Sequence, residues 1–154
     1  MVSAILDGAI SVRHLGPGDA DFIERLSELA FSEFGPEAGP RIRRMTEGES
    51  AEVFVAVRGR ERVGFLLLEH QPDSGYISAI AVAKAERGRG VGARLMTAAE
   101  HAGRRAGRRR LSLTTAQANL EALELFLKSG FKIVKQLPRY YKAGQDACVL
   151  VRSL

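Results

Sequence analysis

The stretch from Tyr76 to Gly92, YISAIAVAKAERGRGVG, decides how this chain folds. Its apolar run from Ile77 to Ala83 is short and β-branched and ends in charge and glycine, the pattern of a buried strand. Arg87-Gly88-Arg89-Gly90-Val91-Gly92 comes next, and from there Val91, Leu95, Ala98, Ala99, Ala102 and Ala106 recur at helical spacing. Arg94, Thr97, His101 and Arg105 fall on the other faces. The order is strand, glycine loop, helix. The first amides of a helix have no intrahelical partner and carry the positive end of its dipole. Glycines let the backbone pass close to a phosphate with no Cβ in the way. The stretch therefore predicts a phosphate-bearing cofactor seated on the loop amides, with Arg87 and Arg89 nearby.

Three glycine patterns compete for this loop. A nucleotide P-loop needs GxxxxGK[ST], and no Lys-Ser or Lys-Thr follows these glycines. A dinucleotide fingerprint is met on its face, because Gly88, Gly90 and Ala93 fit GxGxxA after a strand. The ribose-binding acid it requires some 20 residues on is missing between Arg108 and Thr115, and the preceding chain lacks βα alternation. In the third pattern, Arg87 to Gly92 fit [Q/R]xxGx[G/A], with Ile80-Ala81-Val82 before them. Asn119-Leu120-Glu121-Ala122, Phe126 and Gly130-Phe131 follow in the order of an N..A....Y...GF segment. With both motifs in order, the chain resembles the GNAT superfamily of acetyl-CoA-dependent N-acetyltransferases. The resemblance covers about residues 52 to 152 well and the first fifty poorly.

Length and composition bound the rest. A chain of 154 residues is enough for one domain with a real core, so residues 1 to 154 are expected to form a single domain. No apolar run approaches the ~20 residues needed to span a bilayer. The opening MVSAILDGAI has no basic n-region and is broken by Asp7 and Gly8, so no signal peptide and a cytoplasmic location are expected. Cys148 is the one cysteine and belongs in a buried strand, and His14, His70 and His101 form no metal-ligand cluster. No GxSxG elbow offers a serine nucleophile. The net charge is +5, with a basic block at Arg104, Arg105, Arg108, Arg109 and Arg110. Such a block either complements the end of the glycine-loop helix, draws in an anionic cofactor or acceptor, or touches nucleic acid. Nucleic acid is the lesser reading, since few aromatics accompany the arginines.

Working outward, Ala9 to Leu15 reads as a strand ended by Gly16-Pro17-Gly18. Asp19 is a candidate N-cap for a helix marked by Phe22, Ile23, Leu26, Leu29 and Ala30, ending near Gly35-Pro36, and a second helix lies around Pro36 to Thr46. Glu52 to Arg58 and Arg62 to Glu69 form a hairpin about Gly59-Arg60-Glu61, and Gln71 to Gly75 turn the chain into the central strand. Leu111 to Thr115 is expected to run parallel to that strand after a right-handed crossover. Asn119 to Ser129 is a helix capped by Asn119 and closed at Gly130, followed by strands near Phe131 to Gln136 and Asp146 to Arg152. The fold class is α/β (α+β): a mixed, mostly antiparallel central sheet of six to seven strands with helices on both faces, as in the resembled family.

Acetyl transfer to an amine needs an unprotonated nitrogen, a donor for the oxygen that becomes negative, and a proton route. The resemblance implies acetyl-CoA as donor and CoA as product, held by Arg87, Gly88, Arg89, Gly90, Val91 and Gly92. It implies that the amides of Ile80, Ala81 and Val82 face the thioester oxygen, that Asn119 meets the pantetheine arm, and that Phe126 lies in the cofactor site. Many relatives carry a tyrosine where Phe126 stands and a glutamate where Thr114 stands, so the usual acid and base cannot be copied here. Tyr140-Tyr141-Lys142 to Ala147 resembles the YY...(E/D)DA segment of N-terminal protein acetyltransferases, including the ribosomal-protein type. Tyr140 and Tyr141 are therefore the candidate catalytic residues, and Phe31, Phe34, Glu69, Tyr140 and Tyr141 the candidate acceptor contacts. Glu33 is a further candidate contact beside Phe31 and Phe34, and Glu69 and His70, ending a neighbouring strand, are candidates for a water-relayed base. The expected acceptor is a primary amine, with a protein N-terminus favoured and a small-molecule amine as the alternative. A non-catalytic CoA-binding or nucleic-acid-binding module is the reading of another class, and a homodimer stays open.

Overall fold

The computed structural model describes residues 8–154. The reading of the first residues as carrying no leader lies outside them. In chain order the elements are β1 (Ile10–His14), α1 (Asp19–Phe31), α2 (Ala38–Met45), β2 (Ala51–Arg58), β3 (Glu61–His70) and β4 (Ser74–Val82). They continue with α3 (Val91–Arg105), β5 (Arg110–Ala116), α4 (Leu120–Lys128), β6 (Lys132–Leu137) and β7 (Ala147–Ser153). Among the described residues, seven strands join one sheet in the order β1-β2-β3-β4-β5-β7-β6. Every neighbouring pair is antiparallel except β4 and β5, which run parallel and are joined through α3. The expected mixed sheet is thus present, with seven strands.

The sheet is apolar on both faces because each is covered by a pair of helices. On one face Leu66, Leu68, Ile77, Leu111, Leu113 and Leu150 pack against Val91, Leu95, Met96, Ala99 and Ala102 of α3 and Phe126 of α4. On the other, Val53, Val55, Phe65, Leu67, Ala79 and Ala81 pack against Ile23 and Leu26 of α1 and Ile42 of α2. Leu66, Phe65 and Leu67 are fully buried on consecutive positions of β3, so this strand belongs to both cores. Truncating any one of them to alanine costs roughly 2–5 kcal/mol by the usual cavity argument.

Several boundaries differ from the sequence reading. Asp19 does not cap α1; Gly18, at φ 82°, stands before the helix and Asp19 is its first residue. The Asp19 carboxylate looks backwards, accepting the Gly16 N–H at 2.7 Å and ion pairs from Arg13 of β1 and Arg62 of β3 at 2.6 Å each. Its side chain is completely buried. Burial by itself would raise its pKa, but the hydrogen bonds from Arg13, Arg62 and Gly16 outweigh it and hold the carboxyl at about 2. Leu29, expected on the buried stripe, is 84% exposed. At ~100° per residue it lies some 100° from the centre of the face formed by Asp19, Ile23, Leu26 and Ser27. The β2–β3 turn is shorter than expected, with Glu61 already paired to Arg58. β4 likewise begins earlier than the turn expected over Gln71 to Gly75 allows, at Ser74.

Candidate active site

The parallel pair β4–β5 stays together only from Ser74↔Arg110 to Ile77↔Leu113. Beyond Ile77, β4 continues to Val82 with β3 alone, while β5 continues to Ala116 with β7 alone. The two strands therefore fork, leaving the β5-side edge of residues 78–82 without a strand partner. A break in register accompanies the fork: Leu67 pairs with Ala79 but Leu68 with Ile77, so Ser78 is an extra residue on β4. A bulge of this kind bends its strand and re-aims a side chain. Both strand ends open on the same edge of the sheet, where parallel strands commonly present ligand sites.

The glycine loop closes that edge. The backbone N–H groups of Gly88, Arg89, Gly90, Val91, Gly92 and Ala93 have no hydrogen-bond partner among the described residues. The expected run began one residue earlier, at Arg87, but that amide closes a 3₁₀ turn on the Lys84 carbonyl at 3.4 Å. Gly88 and Gly90 adopt φ 76° and 86°, and a Cβ at either would meet no atom within 4 Å. They are glycines for their backbone conformation and for open access. Gly92 serves a different end, since a Cβ there would lie 2.9 Å from Leu125 Cδ2, so it sets how closely α3 and α4 pack. Arg87 sends its Nε to the Val82 carbonyl at 3.2 Å. Arg89 is 59% exposed and only 3.9 Å from Glu86, which is itself held by Arg58 at 2.7 Å. A cavity of about 550 Å³ opens beside Gly90, with Arg58, Arg89 and Arg94 in its wall. Six unpaired amides, a helix N-terminus and these arginines fit a diphosphate, which needs donors and positive potential together.

Asn119 stands after the end of β5, on the same edge. Its Oδ1 accepts the Ala122 N–H at 3.2 Å, the capping role expected of it. Gly130 takes φ 90° after α4, also as expected. Ile80 and Val82 are half-buried toward α3 and Ala81 is buried toward α1. Phe126 is 3% exposed, in the core with Phe131 at a ring separation of 6.4 Å.

On the α1 side of the fork lies a polar cluster. Tyr76 donates to Thr114 Oγ1 at 2.9 Å, and the Ser78 hydroxyl donates to Glu69 Oε2. The loop from Leu137 to Ala147 adds Tyr140 and Tyr141, with ring centroids 5.0 Å apart and edge to face. Phe34 comes up from the turn after α1 to stack on Tyr141 at 4.9 Å, and Gln145 Nε2 donates to the Glu33 carbonyl at 2.8 Å. Burial pushes the Tyr141 phenol up to about 12, helped by Tyr140, Tyr76 and Cys148. Tyr76 is raised as well, by burial first and then by Tyr140 and Glu69, against the Thr114 hydrogen bond. Of the expected acceptor contacts the structure thus brings together Phe34, Glu69, Tyr140 and Tyr141. Phe31 packs instead against the α1–α2 core. Sequence reasoning missed Tyr76 and Ser78; the two polar residues at alternate positions in an apolar strand were the available signal.

His70, next to Glu69, faces away from this cluster. Its Nε2 meets Glu52 at 2.8 Å and its Nδ1 accepts from Arg108 Nε at 3.1 Å, at a second cavity on the opposite edge of the sheet. Three arginines of the basic block have intramolecular partners: Arg104 with Glu100, Arg105 with Glu52 and Arg108 with His70. Among the described residues no group of His, Cys, Asp and Glu could hold a metal ion, and no helix is long and apolar enough to cross a membrane.

Comparison with known proteins agrees with this arrangement. Residues 20–131 match the model of the acetyltransferase (GNAT) family. An N-alpha-acetyltransferase of Sulfurisphaera tokodaii is 30% identical over 93% of this chain and 92% of its own length. The N-alpha-acetyltransferase MAK3 of Arabidopsis thaliana is 38% identical over 47% of this chain, which spans only 38% of that relative. The crystal structure of a GNAT family acetyltransferase from Elizabethkingia anophelis with acetyl-CoA bound superimposes with a TM-score of 0.76 at 20% identity, covering 94% of this chain and 98% of its own. A forked parallel pair, a bare amide loop and a family match over residues 20–131 lead to one conclusion: the chain belongs to the GNAT family of acetyltransferases.

Proposed function

We propose that this protein is an N-acetyltransferase that moves an acetyl group from acetyl-CoA to the α-amine of a protein or peptide N-terminus. The observation that carries the reading is the β4–β5 fork, with bare amides at its open edge and a tyrosine-lined recess on one side. The amides from Gly88 to Ala93 hold the diphosphate, Arg89 adds positive charge, and the start of α4 at Asn119 borders the pantetheine arm. When bound, acetyl-CoA supplies the acetyl group as a thioester. The unpaired β4 edge at residues 78–82 offers backbone donors to an oxygen that becomes negative, and such donors need no reorganisation at the moment of reaction. A cytoplasmic location goes with this reading.

The acceptor follows from acidity. An α-amine has a reference pKa of ~7.7–8.0 and a lysine amine ~10.4, so lysine costs roughly 3.4 kcal/mol more to deprotonate at neutral pH. Neither phenol at the fork relieves that cost, because Tyr76 and Tyr141 both hold their protons more tightly than an ordinary tyrosine. A phenol at about 12 also yields its proton poorly to a thiolate, whose reference pKa is ~8.5. Tyr141 is accordingly a hydrogen-bond donor that orients the acceptor, braced by Phe34, and Tyr140 lies against it as a further acceptor contact. The similarity to relatives named N-alpha-acetyltransferase supports the same acceptor class.

The test is an acceptor panel of peptides with free α-amines, acetylated peptides carrying lysine, and polyamines, followed by CoA thiol release. Turnover of free α-amine peptides above the others is expected. Preference for a polyamine moves the acceptor to small molecules, and no thiol release with any amine overturns the enzymatic reading.

A further inference from the structure

Ser78 is the extra residue of the β4 bulge and the first residue of β4 past the last β5 pair, Ile77↔Leu113. Its hydroxyl donates to Glu69 Oε2. Glu69 sits opposite Tyr76 in the β3–β4 ladder, so the carboxylate stands on the face that carries Tyr76, Thr114 and the tyrosine loop. The other carboxylate oxygen, Oε1, has no hydrogen-bond partner among the described residues. A hydroxyl whose proton is committed to a carboxylate keeps its lone pairs free to accept. The neighbouring hydroxyls are already committed: Thr114 accepts from Tyr76, and the phenols of Tyr76 and Tyr141 stay protonated.

We propose that Ser78 and Glu69 are the proton exit of the reaction, with Ser78 the residue that touches the acceptor nitrogen. This deepens the proposed acetyl transfer to an α-amine and rests on it. The acceptor ammonium donates one N–H to Ser78 Oγ. As that proton passes to Oγ, the proton already on Oγ passes to Glu69 Oε2. The nitrogen gains a free lone pair, Glu69 becomes a neutral carboxylic acid, and Ser78 ends as the hydroxyl it began as. Glu69 acts only through Ser78 and through holding its orientation. Strand alternation puts Ser78 on the face of Tyr76, and the bulge leaves it without a β3 partner at the first position past the last β5 pair.

The experiment measures kcat/KM between pH 6.5 and 9.5 for the wild type, Ser78→Ala, Ser78→Thr and Glu69→Gln, using a free α-amine peptide that the wild type acetylates. The titratable groups around the pair are Tyr76, Tyr140, Tyr141 and Cys148, and the two raised phenols remain protonated through this range. At pH 7 Ser78→Ala and Glu69→Gln are expected to lose about 6- to 11-fold, the factor by which an α-amine of reference pKa ~7.7–8.0 is held back by protonation there. The deficit shrinks to within about threefold at pH 9.5, where an α-amine of reference pKa ~7.7–8.0 needs no base. Ser78→Thr keeps the hydroxyl and restores most of the pH 7 rate. Acetyl-CoA affinity, read by calorimetry, is unchanged in all three. A loss equal at every pH, or no loss, overturns the proton exit while leaving the acetyltransferase reading intact. If Ser78→Ala fails to fold, Glu69→Gln and Ser78→Thr give the same decision. A wild type that acetylates no amine overturns both.

Discussion

Tyr76 donates its hydroxyl to Thr114 Oγ1 across 2.9 Å, joining β4 to β5 across the point where their backbones part, with Tyr76 one residue before the last pair Ile77↔Leu113 and Thr114 one residue after it. This bond is a strut at the mouth of the fork. It gives Thr114 a structural partner, its Oγ1 accepting the Tyr76 hydroxyl. Tyr76→Phe and Thr114→Val should each lower stability by about 1 kcal/mol, the typical worth of one hydrogen bond. In a urea double-mutant cycle the double variant should cost less than the sum of the two. Simple additivity would show that the strut carries no energy.

Gly90 and Gly92 are two residues apart and are predicted to fail differently. Gly90→Ala places a side chain at φ 86° with nothing near it, so backbone strain of roughly 1–2 kcal/mol is the expected stability cost. The added methyl also stands where the bare amides must be approached, so acetyl-CoA affinity falls. Gly92→Ala pushes on the flexible end of Leu125, 2.9 Å away, and shifts α4 against α3. Its expected signature is a lower melting temperature that a second change, Leu125→Ala, partly relieves. If relief does not occur, the contact is not what makes Gly92 a glycine.

The buried Asp19 gives the fold an acid-labile joint. Its folded pKa is about 2 and its unfolded value about 3.9, so its ion pairs stabilise fully above pH 4 and are lost as pH falls toward 2. The shift corresponds to about 2.6 kcal/mol. Asp19→Asn should remove that amount at pH 7 and flatten the stability curve between pH 4 and 2, read by denaturant titration. A variant with an unchanged acid limb would disprove the assignment.

Tyr141 predicts the opposite limb. Its pKa is raised from 10.0 to about 12 by burial, so the neutral phenol is favoured in the folded state. The contribution is complete below pH 10 and is lost as pH rises toward 12. Tyr141→Phe should reduce this alkaline loss, leaving the part due to Tyr76, and leave the acid limb untouched. An undiminished loss in Tyr141→Phe would place its origin elsewhere.

What could be read from the sequence was local chemistry. Val91 to Arg105 declared itself by helical spacing, Asn119 by its capping oxygen and Gly130 by its left-handed turn, because each depends on residues a few positions away. The parallel placement of β5 followed from the helix that joins it to β4. What escaped depended on distant partners. Asp19 looked like a helix cap until Arg62, 43 residues on, took its carboxylate. Ser78 was legible only as a polar residue two positions from Tyr76; its pairing with Glu69 depends on the β3–β4 register. Glu69 and His70 are sequence neighbours with indistinguishable claims to catalysis, yet strand alternation sends one to the fork and the other to Glu52.

The central claim is that the amides from Gly88 to Ala93 hold the diphosphate of acetyl-CoA. The most direct measurement is a titration of isotopically labelled protein with acetyl-CoA, following backbone amide resonances and fitting affinity by calorimetry. Micromolar binding with the largest shifts at Gly88 to Ala93, abolished in Gly90→Val, is the predicted result. Binding absent at tens of micromolar, or shifts confined to other parts of the chain, would contradict it.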